Sequence, residues 1–284
     1  MITAFLSGCF QTSDLGDAHQ HQGRSYRLHV PSESSHAPLV IVMHGYGGSA
    51  EWMEKQLGWI KLADQEGFAV CFPNGTIDDT GRQFWNVGYA MHEQSAVDDV
   101  AYVVSLVQRL RAMDSIHPNL AYATGFSNGA DMSYLLACEA PETFAAIGPV
   151  AGTMMDSVYF QSRPVSPCSV IAFSGTHDEI TRFDGDPENR DGWGAYRSVP
   201  EVIDFWVEAN QLTEFEQITL SNSTASENPG LELDRYWSTS RSVEVRFYRI
   251  TGGGHDWPIP SETYPVDATR MIWDFFASHC PESN

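Results

Sequence analysis

A serine hydroxyl becomes a nucleophile only when a base takes its proton and a carboxylate orients that base. Gly125-Phe126-Ser127-Asn128-Gly129 places such a serine between an apolar run at 120–124 that reads as a strand and residues 130–136 that read as a helix. In that context G-x-S-x-G is a nucleophile elbow, a sharp turn holding the serine in a strained backbone conformation, with glycines that let strand and helix approach closely. The elbow carries an expected chain order: serine, then acid, then histidine. Of the ten histidines, His255 and His279 follow far enough behind Ser127 to be the base. His279 ends the last helix, where capping or a surface role is the natural reading. His255 stands in Thr251-Gly252-Gly253-Gly254-His255-Asp256-Trp257-Pro258, directly after the last strand, where three glycines can swing an imidazole over the serine. The acid should follow an intermediate strand, and Ser174-Gly175-Thr176-His177-Asp178 supplies Asp178, with Glu179 its nearest rival.

Acyl transfer also needs donors aimed at the oxyanion. The amide after the nucleophile, on Asn128, is one. His44-Gly45-Tyr46-Gly47-Gly48-Ser49 follows an apolar strand and offers the second, with the Tyr46 amide first choice and Gly47 the fallback. His44 precedes the acid and reads as a brace for that loop. Gly47, Trp85, Phe126 and Trp257 are expected to line the substrate cleft. Trp85, Trp193 and Trp257 are the tryptophans considered for ring stacking, with core packing the ordinary alternative. Asp98 and Asp99 precede the nucleophile inside an amphipathic helix, so a place near the helix start or a brace for the Trp85-Asn86 loop suits them better than catalysis.

These residues require strands and helices that alternate. Residues 38–43 form a continuous apolar run, as in a strand buried on both faces. Strands are also expected at 25–30, 68–72, 145–150, 169–173 and 243–250. Helices are expected at 51–66, closed by Gly67, at 95–112, at 199–211, and at the end with Ala268, Ile272, Phe275 and Phe276. The segment 221–231 reads as a loop before the last strand. Alternation of this kind implies an α/β fold, a mostly parallel doubly wound sheet with active groups at the carboxyl ends of its strands. Too few residues separate the strands after the elbow to hold a large lid domain, so an open site is expected.

HGYGGS, GFSNGA, SGTHD, Val97-Asp98-Asp99-Val100 and GGGHDWP, in that set, resemble the polyhydroxybutyrate-depolymerase-like and feruloyl-esterase-like α/β-hydrolases, related to carbohydrate esterase family one. The resemblance spans about residues 24–278. It implies an extracellular carboxylic ester hydrolase that needs no cofactor, with Ser127 as nucleophile, Asp178 as acid and His255 as base. The cleft would lie between the HGYGG loop, Trp85-Asn86 and Trp257-Pro258. Polyester, feruloyl, acetyl-xylan and simple short-chain esters all remain open as substrates. A serine peptidase and a non-catalytic binding module are the rivals from other classes. Relatives carry cysteines near the W-N segment that this chain lacks, so no family disulfide pattern carries over.

Composition narrows the rest. With 284 residues and 42% hydrophobic content, the chain suits one α/β domain, taken as 24–284 behind a polar tether at 1–23. The net charge of -21 argues against nucleic-acid binding, which depends on Lys and Arg neutralising phosphates. The five cysteines have no C-x-x-C spacing, so no zinc or iron–sulfur site is expected. Cys71 and Cys138 read as buried thiols, and a Cys168–Cys280 disulfide is an open expectation. The acidic loop at 182–194 has aspartate spacing that could suit calcium, though it lacks the bidentate glutamate of an EF-hand and reads better as a solvated loop on the substrate side. Leu6-Ser7-Gly8-Cys9 resembles a lipobox, but the eight residues before Cys9 include no basic one. A lipid anchor at Cys9 and a chance match are both open. Either way the expected location is extracellular, periplasmic or surface-attached in a bacterium.

Overall fold

In the computed structural model, residues 18–221, 230–260 and 266–280 are described. The tether's first part, with Cys9 and the lipobox, lies outside them. In chain order the elements are β1 (His19–His21), β2 (Arg24–His29), β3 (Ala37–Met43), α1 (Ala50–Gln56), α2 (Trp59–Glu66), β4 (Ala69–Pro73), β5 (Thr76–Ile77), β6 (Gln83–Phe84), α3 (Asp99–Arg111) and β7 (Ile116–Phe126). They continue as α4 (Asn128–Glu139), β8 (Ala146–Val150), α5 (Asp156–Gln161), β9 (Ser169–Gly175), α6 (Val199–Ala209), β10 (Glu214–Ser221), β11 (Gly230–Trp237), β12 (Glu244–Thr251) and α7 (Ala268–Ser278).

Ten strands form one sheet in the order β1-β2-β4-β3-β7-β8-β9-β12-β11-β10. The six from β4 to β12 pair in parallel, and an antiparallel pair closes each side. The apolar run of β3 shows why both faces must be covered. Leu39, Ile41 and Met43 point into one core with side chains of α3, α4 and α6, while Val40 and Val42 point into the other with those of α1, α2 and α7. Each fully buried Leu, Ile or Val contributes about 1.5–3 kcal/mol, so the central strands anchor the sheet from both sides.

Three expectations change. The single helix at 51–66 is two, because Gly58 adopts φ 74° and breaks it after Leu57. The carbonyl of Leu57 freed there accepts the Thr269 hydroxyl of α7 at 2.8 Å. The supposed loop at 221–231 is the connection of a hairpin: β10 and β11 add two antiparallel strands to β12, while residues 222–229 lie outside the described part. His19–His21, expected within the tether, pairs with β2 as an edge strand.

Cys168 and Cys280 are not bridged. Cys168 is a buried thiol on the α6 side of the sheet, next to Asn210, whereas Cys280 follows α7 on the opposite layer. Burial pushes the Cys168 thiol up to about 12, which suits an inert core position. No helix among the described residues is long and apolar enough to cross a membrane.

Candidate active site

β7 ends at Phe126, α4 begins at Asn128, and Ser127 links them at φ 55° and ψ -120°. A non-glycine residue there costs about 1–3 kcal/mol and persists only when its surroundings fix it. They do: the Ser127 amide donates to the Val150 carbonyl at 2.9 Å, and its own carbonyl accepts the Ala130 and Asp131 amides at 2.7 and 3.0 Å. A Cβ at Gly125 would overlap the Gly129 backbone, and one at Gly129 would overlap the Met43 carbonyl, so both glycines permit contacts a side chain forbids. The Ser127 side chain makes no capping bond to α4. Its hydroxyl is left for other work. The Asn128 amide belongs to the first helical turn, whose N–H groups have no intrahelical acceptor.

Asp178 and His255 meet because β9 and β12 are parallel neighbours, with Gly175 opposite Ile250. The loops that follow are stitched by His177 N–H to the Gly253 carbonyl at 2.9 Å and Gly252 N–H to Thr176 Oγ1 at 2.9 Å. His255 Nδ1 donates to Asp178 Oδ2 at 2.7 Å, and Asp178 Oδ1 accepts the Ile180 and Thr181 amides, each at 2.8 Å. That arrangement fixes the imidazole tautomer and leaves Nε2 as its proton acceptor. Asp178 is buried whereas Glu179 and His177 are exposed, which separates the acid from its rivals. The His255 ring lies 4.9 Å from that of Phe126, beside the elbow. His279 Nδ1 donates to the Phe275 carbonyl at 2.8 Å, and its Nε2 is 3.4 Å from Glu244, the first residue of β12. It therefore sits at the opposite end of the sheet from His255.

The loop after β3 reaches the elbow: a Cβ on Gly45 would lie 3.2 Å from that of Ser127. His44 braces it from inside. Its Nδ1 donates to the Gly45 carbonyl at 2.8 Å, and its Nε2 accepts the Gly75 amide at 2.9 Å. Burial holds its imidazole down at about 4, so it stays neutral near pH 7. The Gly47 amide is engaged by the Gln83 carbonyl at 2.8 Å, whereas the Tyr46 amide has no acceptor among the described residues. The fallback donor is thus occupied and the first choice is open.

Two expected cleft residues belong elsewhere. Trp85 is fully buried, with Nε1 donating to the His44 carbonyl at 2.9 Å, and the Asn128 side chain clasps its backbone at 2.7 and 3.0 Å. Trp257 is buried against Trp59, with Nε1 bonded to Thr269 Oγ1 at 3.0 Å. Both rings pack in the cores rather than face substrate, because each has a core partner for its polar edge. Asp98 caps α3 through the Ala101 amide at 2.8 Å, and Asp99 accepts the Asn86 amide at 2.6 Å and pairs with Arg24. Two carboxylates of the acidic 182–194 loop are engaged within it: Asp186 accepts the Asp191 amide at 3.0 Å, and Asp191 pairs with the Arg182 guanidinium at 2.9 Å.

A small cavity of about 20 Å³ opens beside Ser127, lined by Tyr46, Tyr89, Trp193 and Tyr196 together with Asp131 and Thr153. Tyr89 and Asp131 did not emerge from the sequence, although Asp131 stands four residues after Ser127, one helical turn along the same face. Asp131 Oδ2 accepts the Tyr89 hydroxyl at 2.7 Å, and Oδ1 accepts the Thr153 amide at 2.8 Å. Burial pushes its carboxyl up to about 7. A wider groove between the 86–99 loop and the ends of α4 and α5 contains none of Ser127, Asp178 and His255. The small cavity is the one joined to the chemistry.

Known proteins agree with this architecture. The acetyl xylan esterase from Aspergillus awamori superposes with a TM-score of 0.60 at 15% identity, over 90% of this chain and 94% of that one. Feruloyl esterase B of Piromyces equi is 28% identical over 84% of this chain and 41% of its own length. Poly(3-hydroxyalkanoate) depolymerase C of Paucimonas lemoignei is 27% identical over 83% of this chain and 59% of its own. The chain thus spans about half the length of these two relatives. The fold is that of the α/β-hydrolase esterases. Residues 24–203, well over half of the chain, match the family model described as esterase PHB depolymerase, and the chain belongs to that family.

Proposed function

We propose that the protein is a serine carboxylic ester hydrolase acting through an acyl-enzyme. The observation that carries this is the 2.7 Å bond from His255 Nδ1 to a buried Asp178, beside a serine held at φ 55° with its side chain uncommitted. Ser127 Oγ attacks the ester carbonyl while His255 Nε2 takes its proton. Asp178 stabilises the imidazolium, and the Tyr46 and Asn128 amides receive the oxyanion. His255 then returns the proton to the departing alcohol. Water, deprotonated by the same Nε2, attacks the acyl-enzyme and releases the acid.

Hydrolysis of a hydroxyacid polyester, as the depolymerase relative's name suggests, is the first substrate reading. The name of the Piromyces equi relative favours a second, a feruloyl-type ester. Both suit an enzyme working outside the cell. The test is turnover of p-nitrophenyl esters of rising chain length, methyl ferulate, acetylated xylan and a polyhydroxybutyrate emulsion. Ser127→Ala should lower kcat by roughly 10⁴-fold or more, and Asp178→Asn by about as much with little change in KM. An alanine variant keeping over a tenth of wild-type activity would overturn the assignment.

A further inference from the structure

Resting on that reading, we infer that Asp78 is a positioning residue for the reaction, holding the Tyr46 side chain so that the Tyr46 amide stays aimed at the oxyanion. A peptide group is planar, so fixing the Gly45 carbonyl and the Tyr46 side chain fixes the direction of the N–H between them. The carbonyl side is held by His44 Nδ1 at 2.8 Å and by the Gly48 amide at 2.9 Å. On the other side, the Tyr46 hydroxyl donates to Asp78 Oδ2 at 2.6 Å. That bond ties the loop after β3 to the hairpin of β5 and β6, which lies outside the ten-stranded sheet. The same hairpin holds the next residue, since the Gly47 amide donates to the Gln83 carbonyl of β6 at 2.8 Å. Two consecutive residues of the oxyanion loop are thus anchored to one small element.

Asp78 is itself immobilised. Its Oδ1 accepts the Thr80 amide at 2.8 Å, the Thr80 hydroxyl at 2.7 Å and the Arg82 amide at 3.0 Å, which leaves Oδ2 for Tyr46. The Asp78 side chain is only 7% exposed, although Ile77, Asp79 and Thr80 around it are exposed. His92 Nε2 lies 3.4 Å from the same Oδ2, and its ring stacks on Phe84 of β6 at 3.7 Å. The bond from the Tyr46 hydroxyl, followed by those from the turn, holds the Asp78 carboxyl well below the usual carboxylate range. The acceptor is therefore charged near pH 7, and a hydrogen bond to a charged oxygen is the stronger kind. The Tyr46 ring meets Trp193 edge-on at 5.6 Å, and the Arg82 guanidinium lies 5.5 Å from its centre. Those contacts hold the ring by its body, and the bond to Asp78 fixes its end. Donors held in place before reaction are what stabilise an oxyanion best.

The test compares wild type, Tyr46→Phe, Asp78→Asn and the double variant on p-nitrophenyl butyrate. Tyr46→Phe keeps the ring and the amide and removes the hydroxyl. Asp78→Asn keeps an oxygen for Thr80 and Arg82 and removes the charge. Losing an oxyanion donor outright costs about 10²–10³-fold in kcat, so loosening one should cost each single variant about 10-fold, with KM within about twofold of wild type. The double variant should stay within about threefold of the slower single, because both changes break one bond. Propyl trifluoromethyl ketone, which forms an oxyanion on the serine, should bind each variant more weakly by about the factor lost in kcat/KM. A residue that served only the fold would lower the melting temperature and leave kcat and ketone binding as they were. Unchanged kcat, wild-type ketone binding, or losses that multiply in the double variant overturn the inference. If one single variant does not fold, the other decides by its kcat and its ketone binding. Hydrolysis by wild type, and its loss in Ser127→Ala, reports separately on the esterase reading.

Discussion

Two buried titrating groups flank the elbow, and they pull stability in opposite directions with pH. His44 has a folded pKa of about 4 against an ordinary 6.5. Between those values the unfolded chain binds the extra proton, so stability falls as pH drops from 6.5 to 4. Asp131 has a folded pKa of about 7 against 3.8. Between those values the folded chain binds the extra proton, so stability falls as pH rises from 3.8 to 7 and the penalty is complete above 7. Asp131→Asn removes the second term while keeping an acceptor for Thr153. It should therefore melt above wild type at pH 8, with the advantage shrinking toward pH 4. His44→Phe should lose about 1–3 kcal/mol near pH 7 by orphaning the buried Gly75 amide, and less toward pH 4. Thermal melts at pH 4, 6 and 8 check both. Equal spacing of the three melting curves at every pH would show that neither group is linked to folding.

The elements show what was legible in the sequence and what was not. The central strands were readable because burial on both faces demands unbroken apolar runs such as Leu39-Val40-Ile41-Val42. The acid and base loops were readable because chain order leaves few residues to choose from. β10 and β11 were not: Glu214-Phe215-Glu216-Gln217 and Glu232-Leu233-Asp234-Arg235 mix charged with apolar side chains, as strands near a solvent-facing edge do. Arg235 pairs there with Glu216 and Glu244, a cross-strand pattern that only the folded sheet reveals. Trp85 and Trp257 were misplaced for a related reason, since adjacency to a catalytic loop fixes the backbone and not the direction of the ring. Asp131 was overlooked because a carboxylate in a first helical turn usually reads as a match to the helix dipole. Gly175 carries the sharpest consequence at this scale. A Cβ there would overlap the Gly253 carbonyl and part the acid loop from the base loop. Gly175→Ala should cost about 1–3 kcal/mol and lower kcat well beyond its effect on KM. A variant with wild-type kcat would show that the two loops tolerate separation.

At the scale of the whole molecule, the net charge of -21 is the dominant electrostatic fact. The arginines are largely committed to ion pairs, such as Arg249 with Glu232 and Asp234, and Arg197 with Asp156. The surplus carboxylates repel one another across a compact surface, which weakens the folded state relative to an expanded chain. Salt relieves this, since the screening length falls from about 30 Å at 0.01 M to about 3 Å at 1 M. The melting temperature should accordingly rise with NaCl, by about 2–4 °C for each kcal/mol of repulsion removed. The same field acts on substrates. It concentrates cations near the surface and repels anions, so kcat/KM for a cationic ester such as ethyl 3-aminopropanoate should fall as salt rises while that for the neutral ethyl butanoate stays level. Melting curves and pH-stat rates over the same salt series measure both. A melting temperature that falls with NaCl would mean that the ion pairs outweigh the surplus charge.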